Sequence, residues 1–382
     1  MRLVRAVKLG EVAEFVRGVT YKPTDVTTAD DPSGIPCLRT KNIQEKLEDE
    51  DLVFIPKAPI KDSKLVSEGD ILVSSANSWN LVGKCSWVPT LPYKATFGGF
   101  TSVLRSNQST VDPRYLYRWF SSPRIQELAR SFGQQTTNIS NLNQGRCLEL
   151  EIPLPPLDEQ KRIAAILDKA DQLRQKRRQA IALLDSLTQS IFLEMFGDPV
   201  SNPKGWPVLP FGALAKNCDS IRVPVKQSDR DKRSGPYPYY GSVGVIDDID
   251  GFLFEGEHLL ISEDGKHLQS RSRPIACIAN GKFWVNNHAH VVKSNGRSDL
   301  LFLRSFFEIS SIDKYISGID QIKLNRKSLD DISIPLPPIH MQEEYRAVIT
   351  KLEIQKKKLN QMDERLIDIF ASLQHRAFSG QL

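Results

Sequence analysis

Two histidines in the second half of the chain have the spacing best suited to binding a metal ion. His288 and His290 are separated by one residue, so both imidazoles would lie on the same face of a strand. His258 and His267 precede them, but no set of carboxylates or thiolates at ligand spacing accompanies them. We therefore predict no metal site and keep a metal-dependent hydrolase using His288 and His290 as a rival hypothesis.

The sequence lacks other common signatures of catalysis. The pairs Gly83-Lys84, Gly265-Lys266 and Gly281-Lys282 lack the upstream glycine of a nucleotide-binding P-loop. The chain has no G-x-S-x-G, no H-E-x-x-H and no Asn-Pro-Pro-aromatic tetrapeptide. Its five cysteines form no C-x-x-C and predict reduced thiols. The sequence thus predicts a non-catalytic protein with no cofactor of its own.

Polar side chains that can bind DNA are concentrated in several predicted loops. Arginine pairs with guanine, asparagine and glutamine pair with adenine, and serine, threonine and lysine suit phosphates. Polar loops occur on every protein surface, so this composition alone does not establish DNA binding. The candidates in the first half are Arg39, Lys41, Asn42, Asn77, Ser78, Asn80, Gln134, Gln135, Thr136 and Thr137. Those in the second half are Tyr240, Ser242, Asp264, Lys266, Asn287, His288, Gln321 and Lys323.

The elements that carry these loops are short strands and a few helices. A strand is predicted over 71–75, a hairpin over 274–285 around Asn280-Gly281, and one helix in each half, over 113–131 and 299–317. The net charge of +5 permits a polyanionic partner without requiring one. The chain has no apolar run of membrane-spanning length and no signal peptide, so we expect a cytoplasmic protein.

A repeated segment organises the chain. The sequence IPLPP occurs at 152–156 and at 334–338, and each copy is followed by a glutamine, Gln160 or Gln342. At the same offset of 182 residues, Leu142-Asn143 matches Leu324-Asn325 and Phe196 matches Phe378, with no gap. The repeat therefore extends well beyond the prolines.

Each proline run is followed by nearly forty residues without proline or glycine, which predicts a helix about 55 Å long. Stepping three and then four residues from Ile163 or Tyr345 finds mostly apolar positions, as in a coiled coil. The two helices most simply pack on each other, although each could instead lie on its own domain. Because acidic and basic residues are balanced in both helices, we expect the helices to act as spacers and docking surfaces and not to bind DNA. The predicted seam consists of Ile163, Ile166, Leu173, Leu184, Leu187, Ile191, Tyr345, Val348, Leu352, Leu359, Leu366, Ile369 and Leu373.

Over essentially its whole length the chain resembles the specificity (S) subunit of type I restriction-modification systems. The resemblance rests on residues 152–163, on 192–199 and on the second copy over 334–380. Within the two halves, residues 69–72, 138–142, 263–265 and 287–290 are also similar to the family's target-recognition domains. The second copy departs at 339–344, which implies two unequal docking surfaces.

The resemblance implies an α+β fold with two globular target-recognition domains, separated by two long antiparallel coiled-coil helices and related by a pseudo-two-fold internal repeat. The expected regions are 1–152 (first target-recognition domain), 153–199 (central repeat region), 200–334 (second target-recognition domain) and 335–382 (C-terminal repeat region).

The resemblance also implies a function in double-stranded DNA recognition. Each domain would read half of a bipartite, asymmetric target, while the helices set the gap and dock two copies of a methyltransferase (M) subunit. Those subunits would bind S-adenosylmethionine and flip the target adenine, and restriction (R) subunits could join the complex. The alternative outside this family is a stand-alone DNA-binding or scaffold protein that dimerises through its helices.

Overall fold

The computed structural model describes residues 5–58, 60–135 and 139–382, in which the chain forms two units. Unit 1 comprises Met1–Arg177 with Met362–Leu382, and unit 2 comprises Arg178–Gln361. This division differs from the four sequence regions (1–152, 153–199, 200–334 and 335–382), because each long helix contributes part of its length to both units. Within the described part of the chain, no helix is both long and apolar enough to cross a membrane.

Unit 1 is built on two main sheets. Its strands are β1 (Ala6–Lys8), β2 (Ala13–Arg17), β3 (Gly34–Leu38), β4 (Val53–Pro56), β5 (Ile71–Ser74), β6 (Ala76–Asn77), β7 (Cys85–Trp87), β8 (Thr96–Phe97), β9 (Thr101–Ser106), β10 (Gln134–Gln135), β11 (Ser140–Asn141) and β12 (Glu151–Pro153). An antiparallel sheet has the strand order β2-β9-β5-β7, and a second has the order β4-β3-β8, in which β3 and β8 are parallel. The pair β1-β12 and the small sheet β10-β11-β6 complete the unit.

The helices of unit 1 correct one prediction. The single helix expected over 113–131 is two helices, because Pro123 begins a new helix after the extended Ser122. The first of the two is capped by Asp112, whose carboxylate accepts a hydrogen bond from the Tyr115 amide at 2.9 Å. The helices are α1 (Leu9–Val12), α2 (Pro113–Phe120), α3 (Pro123–Ser131), α4 (Gln144–Leu148) and α5 (Leu157–Phe196), with 3₁₀ turns at Pro23–Asp25, Thr40–Asn42 and Asp62–Lys64.

Unit 2 repeats this architecture. The strands are β13 (Val208–Pro210), β14 (Ala215–Asn217), β15 (Tyr237–Gly241), β16 (Gly244–Ile249), β17 (Phe254–Glu255), β18 (His258–Ser262), β19 (Ala276–Ala279), β20 (Lys282–Val285), β21 (Ala289–Ser294) and β22 (Ser333–Pro335). The antiparallel sheet has the order β14-β21-β18-β19, the second sheet has the order β16-β15-β20-β17 with β15 and β20 parallel, and β13 pairs with β22. The helices are α6 (Gln227–Arg230), α7 (His267–Ser270), α8 (Leu300–Ile309), α9 (Arg326–Asp330) and α10 (Ile339–Phe378), with 3₁₀ turns at Phe211–Ala213, Asp219–Ile221 and Asp313–Tyr315.

The hairpin predicted around Asn280-Gly281 is wrong. Strand β19 pairs with β18, whereas β20 pairs with β15 and β17, so the two strands join different sheets. A type I′ turn needs positive φ at both central residues. Gly281 has a φ of 78°, but Asn280 is not among the residues with positive φ. The chain therefore turns at this point without folding back on itself.

The long helices α5 and α10 run antiparallel within each unit. In unit 1, the Arg174 guanidinium lies 4.5 Å from the centre of the Phe370 ring, and Arg177 Nη1 lies 3.1 Å from Met362 Sδ. In unit 2, the Phe196 and Tyr345 rings lie 5.3 Å apart. Residues with lower numbers on α5 contact residues with higher numbers on α10, as expected for antiparallel helices.

The seam was predicted with steps of three and then four residues, and this order is wrong. The buried and half-buried positions follow steps of four and then three residues, so Leu167, Ile349 and Phe370 face inward. Leu173, Leu187, Val348 and Ile369 are exposed, and Ile166 is half-buried. The predicted pattern of three and then four residues and the observed pattern of four and then three share every seventh position. The predicted residues at these shared positions are all buried or half-buried: Ile163, Leu184, Ile191, Tyr345, Leu352, Leu359, Leu366 and Leu373.

The repeated glutamine has the same structural role in both units. Gln160 and Gln342 are buried at the start of α5 and α10. The Gln160 side chain accepts a hydrogen bond from the Asp112 amide at 2.8 Å and donates to the Pro155 carbonyl at 2.8 Å. Gln342 does the same with Asp299 and Pro337, at 2.9 and 2.7 Å. Each glutamine thus joins the N-cap of a domain helix, α2 or α8, to a long helix.

We expect Gln160→Ala to lower the free energy of unfolding of unit 1 by about 1–3 kcal/mol, because the half-buried Asp112 amide and the buried Pro155 carbonyl lose their partner. Chemical denaturation followed by circular dichroism measures the change. Gln189→Ala, at an exposed position of the same helix, is the matched control and should change stability by less than about 0.5 kcal/mol. Equal stabilities for the two variants would contradict the bridging role.

Candidate nucleic-acid interface

In unit 1, three loops converge where β5 ends and β9 begins. The backbone amides of Ser75 and Ala76 donate to the Phe100 carbonyl at 2.9 and 3.2 Å, and the Leu142 amide donates to the Ser75 carbonyl at 2.8 Å. These bonds hold together segments that are far apart in sequence. We call residues 75–80, 98–102, 134–135 and 141–145 the unit 1 edge.

Several predicted DNA contacts meet at the unit 1 edge. In the sheet β10-β11-β6, Gln134 lies opposite Asn141, and Ser140 lies opposite Asn77. Strand β10, which contains Gln134 and Gln135, is therefore separated from Asn77 on β6 by a single strand, β11. Ser78 and Asn80 are exposed just after β6. Thr136 and Thr137 lie outside the described residues.

A groove beside this sheet contains residues that the sequence did not single out. Arg17 lies on β2, while Asn143 and Gln144 lie at the start of α4. Gln144 Nε2 donates to Ser102 Oγ at 2.7 Å. Phe100, also in the groove, has a largely exposed ring. Only pairing between distant strands reveals this site, so no local sequence pattern could have located it.

Three candidates, Arg39, Lys41 and Asn42, form a separate group at the 3₁₀ turn Thr40–Asn42, of which Arg39 is the N-cap. Arg39 and Lys41 both form ion pairs with Asp51, and the hydrogen bond from Lys41 lowers the pKa of that carboxyl. Asn42 is buried: its Oδ1 accepts from the Arg39 amide at 2.8 Å and its Nδ2 donates to the Glu48 carbonyl at 2.9 Å. Both ends of the Asn42 amide therefore bind backbone within its own loop, and a DNA contact at Asn42 stays a prediction.

In unit 2 the corresponding loops converge in the same way. The Glu263 amide donates to the His288 carbonyl at 2.9 Å, and the Leu324 amide donates to the Glu263 carbonyl at 2.8 Å. An isolated antiparallel bridge joins Asp264 to Lys323. We call residues 263–266, 286–290 and 321–324 the unit 2 edge. It brings together six of the predicted contacts, of which all but Asp264 are exposed: Asp264, Lys266, Asn287, His288, Gln321 and Lys323.

Tyr240 and Ser242 are connected to the unit 2 edge through their backbones. The Tyr240 carbonyl accepts from the Asn286 amide at 3.1 Å, and the Ser242 carbonyl accepts from the Ser262 hydroxyl. The Tyr240 ring packs edge-on against Phe283 at 5.5 Å, and burial raises the pKa of its hydroxyl. Tyr240 is thus half-buried and contributes to the core as well as to this surface.

The two histidines of the metal hypothesis have different environments. His290 is buried, with Nδ1 2.7 Å from Asp219 Oδ2 and Nε2 2.8 Å from the Leu324 carbonyl. Burial raises the pKa of Asp219, but hydrogen bonds from His290 and the Val291 amide outweigh it and leave the pKa below its ordinary value. With both ring nitrogens engaged, His290 offers no ligand atom. In the described ranges, no group of three or more potential ligand side chains surrounds a metal-sized site.

The edges of the two units share one backbone arrangement. Ser75, Phe100 and Leu142 in unit 1 correspond to Glu263, His288 and Leu324 in unit 2, with matching hydrogen bonds. Leu142 and Leu324 are also separated by the repeat offset of 182 residues. The side chains placed on this common frame differ between the units.

Comparison with known proteins identifies the family. A family model described as the type I restriction modification DNA specificity domain matches residues 1–183 and 203–364. The chain belongs to this family of DNA specificity subunits. The resemblance predicted from the repeated proline-rich segments is therefore confirmed, and target recognition on DNA is the function of this specificity subunit.

Individual relatives agree with this assignment. The type I restriction enzyme StySPI specificity subunit of Salmonella potsdam is 31% identical over an alignment of 413 positions, which covers 97% of this chain and 87% of the relative. The EcoKI specificity subunit of Escherichia coli K12 is 31% identical over 186 residues, covering 47% of this chain and 39% of the relative. The crystal structure of an S subunit from M. genitalium superposes with a TM-score of 0.65 at 14% identity, covering 99% of this chain and 97% of that one, so the predicted fold class is confirmed.

Proposed function

We propose that this specificity subunit reads a bipartite, asymmetric double-stranded DNA target, with one half-site bound at each edge. The supporting observation is the backbone arrangement shared by the two edges. A shared backbone presents each set of side chains to DNA in the same geometry, whereas different side chains select different bases. Two unlike half-sites follow from this combination.

The long helices would set the gap between the half-sites and dock two copies of a methyltransferase subunit. Leu187 and Ile369 are separated by the repeat offset of 182 residues, and both are exposed. Exposed apolar side chains at equivalent positions suit two copies of one partner. The different sequences at 157–162 and 339–344 would make the two contacts unequal.

In this proposal the specificity subunit is not itself an enzyme and binds no cofactor. The methyltransferase subunits would bind S-adenosylmethionine, flip the target adenine and transfer the methyl group. Restriction subunits would join through them. The modest net charge of +5 fits a chain that shares phosphate contacts with its partners.

A methylation map tests the proposal. The chain is co-expressed with the type I methyltransferase subunit of the same system in a host that lacks adenine methylation, and N6-methyladenine is located by sequencing. We expect a split, asymmetric motif that is methylated only when this chain is present. A soluble complex that methylates nothing, or methylates the same sites without this chain, would favour a scaffold that dimerises through its helices.

A further inference from the structure

Phe100 and His288 occupy equivalent positions in the two units. The Phe100 carbonyl accepts a 2.9 Å hydrogen bond from the amide of Ser75, the residue after β5. The His288 carbonyl accepts a 2.9 Å hydrogen bond from the amide of Glu263, the residue after β18. The strand register agrees, since Thr101 lies opposite Ser74 and Ala289 lies opposite Ser262. Phe100 therefore directly precedes β9, and His288 directly precedes β21, the inner strand that pairs with β18 as β9 pairs with β5.

The Phe100 ring is unusual for its exposure. It is 66% exposed, although its backbone carbonyl is fixed by two amides, those of Ser75 and Ala76. The same groove is lined by polar residues, including Arg17, Asn143 and Gln144. An aromatic ring in an open groove buries further apolar surface when a ligand covers it.

His288 presents a polar group at the equivalent position. Its side chain is 51% exposed, and its Nδ1 lies 2.6 Å from Asp264 Oδ2. A carboxylate accepts hydrogen bonds, so the Nδ1 of His288 carries the proton. The Nε2 atom is then the ring nitrogen left to bind a ligand.

We infer that residues 100 and 288 are equivalent base-reading positions, at which Phe100 contacts a thymine methyl group and His288 Nε2 hydrogen-bonds to a base edge. This inference rests on the proposed function. A wedge that unstacks base pairs is an apolar side chain, whereas the equivalent position in unit 2 carries a histidine. A histidine oriented by a carboxylate at one of the two positions instead favours contact with base edges in the major groove.

Single substitutions in the complex with the methyltransferase subunit test the inference. We expect Phe100→Ala to reduce discrimination about tenfold at one base pair of one half-site and to leave the other half-site unchanged. His288→Ala should do the same in the other half-site. Phe100→Leu keeps an apolar contact and should retain most of the preference. Val200→Ala, at another exposed apolar residue, is the control and should change neither half-site.

The outcomes separate this inference from the proposed function. If the wild-type complex produces no bipartite motif, the proposed function fails first. If it does, but Phe100→Ala and His288→Ala methylate the same motif with unaltered preference, only the assignment of residues 100 and 288 is overturned. It is also overturned if Phe100→Ala weakens binding equally on all sequences, because a non-specific stacking residue behaves in that way.

Discussion

Phe192→Ala is expected to destabilise unit 2 by about 3–5 kcal/mol, the usual effect of removing a buried phenylalanine. Phe192 is 1% exposed near the end of α5. Its ring stacks on Phe302 of α8 at 5.7 Å and meets Tyr345 of α10 edge-on at 5.7 Å. Phe196 contacts the same two rings at 5.1 and 5.3 Å. One aromatic cluster therefore holds two long helices and a domain helix, and the alanine would leave a cavity at their junction.

Leu183→Ala provides the control for this prediction, since Leu183 is 69% exposed on the same helix. Its effect on stability should be below about 0.5 kcal/mol. Urea denaturation monitored by circular dichroism gives both values, and an unfolding transition for unit 2 separate from that of unit 1 would localise the loss. A Phe192→Ala protein as stable as Leu183→Ala would show that the cluster is not what fixes the helices to the domain.

The sequence predicted the repeat and the long helices, because both are encoded locally. A run of helix-forming residues after a proline pair needs no distant partner to be recognised. The seam was harder to predict, because apolar residues occupy both possible step orders. Ile369 and Phe370 are adjacent and both hydrophobic, and only packing against Arg174 distinguishes the buried ring from the exposed side chain.

The candidate site could be predicted only in part. Glycine, asparagine and lysine near strand ends correctly indicated loops, and six second-half candidates meet at the unit 2 edge. Local sequence could not show that Asn42 binds its own loop, or that both ring nitrogens of His290 are engaged. Phe100 was missed because an isolated phenylalanine in a sequence usually indicates core. The role inferred for Phe100 rests on comparison with His288, across two units whose loops share almost no sequence.

Inserting one heptad into both long helices is expected to lengthen the gap between half-sites while leaving the half-sites themselves unchanged. The insertion points are the unit boundaries, after Arg177 in α5 and after Gln361 in α10. Duplicating residues 171–177 and 355–361 preserves the alternation of four and three along the seam. Seven residues add about 10.5 Å, close to three base pairs at 3.4 Å each. Three base pairs also turn the duplex by about 100°, so we expect a lower methylation rate at the new spacing.

The methylation map measures this change directly. Sites with the original gap should lose methylation, and sites about three base pairs longer should gain it. Insertion into α5 alone is the control, because it shifts the seam of one helix against the other and should reduce stability instead of defining a new gap. A folded double-insertion complex that still methylates only the original spacing would show that the helices do not measure distance on DNA. The gap would then have to be set by the partner subunits, and the helices would serve only for assembly.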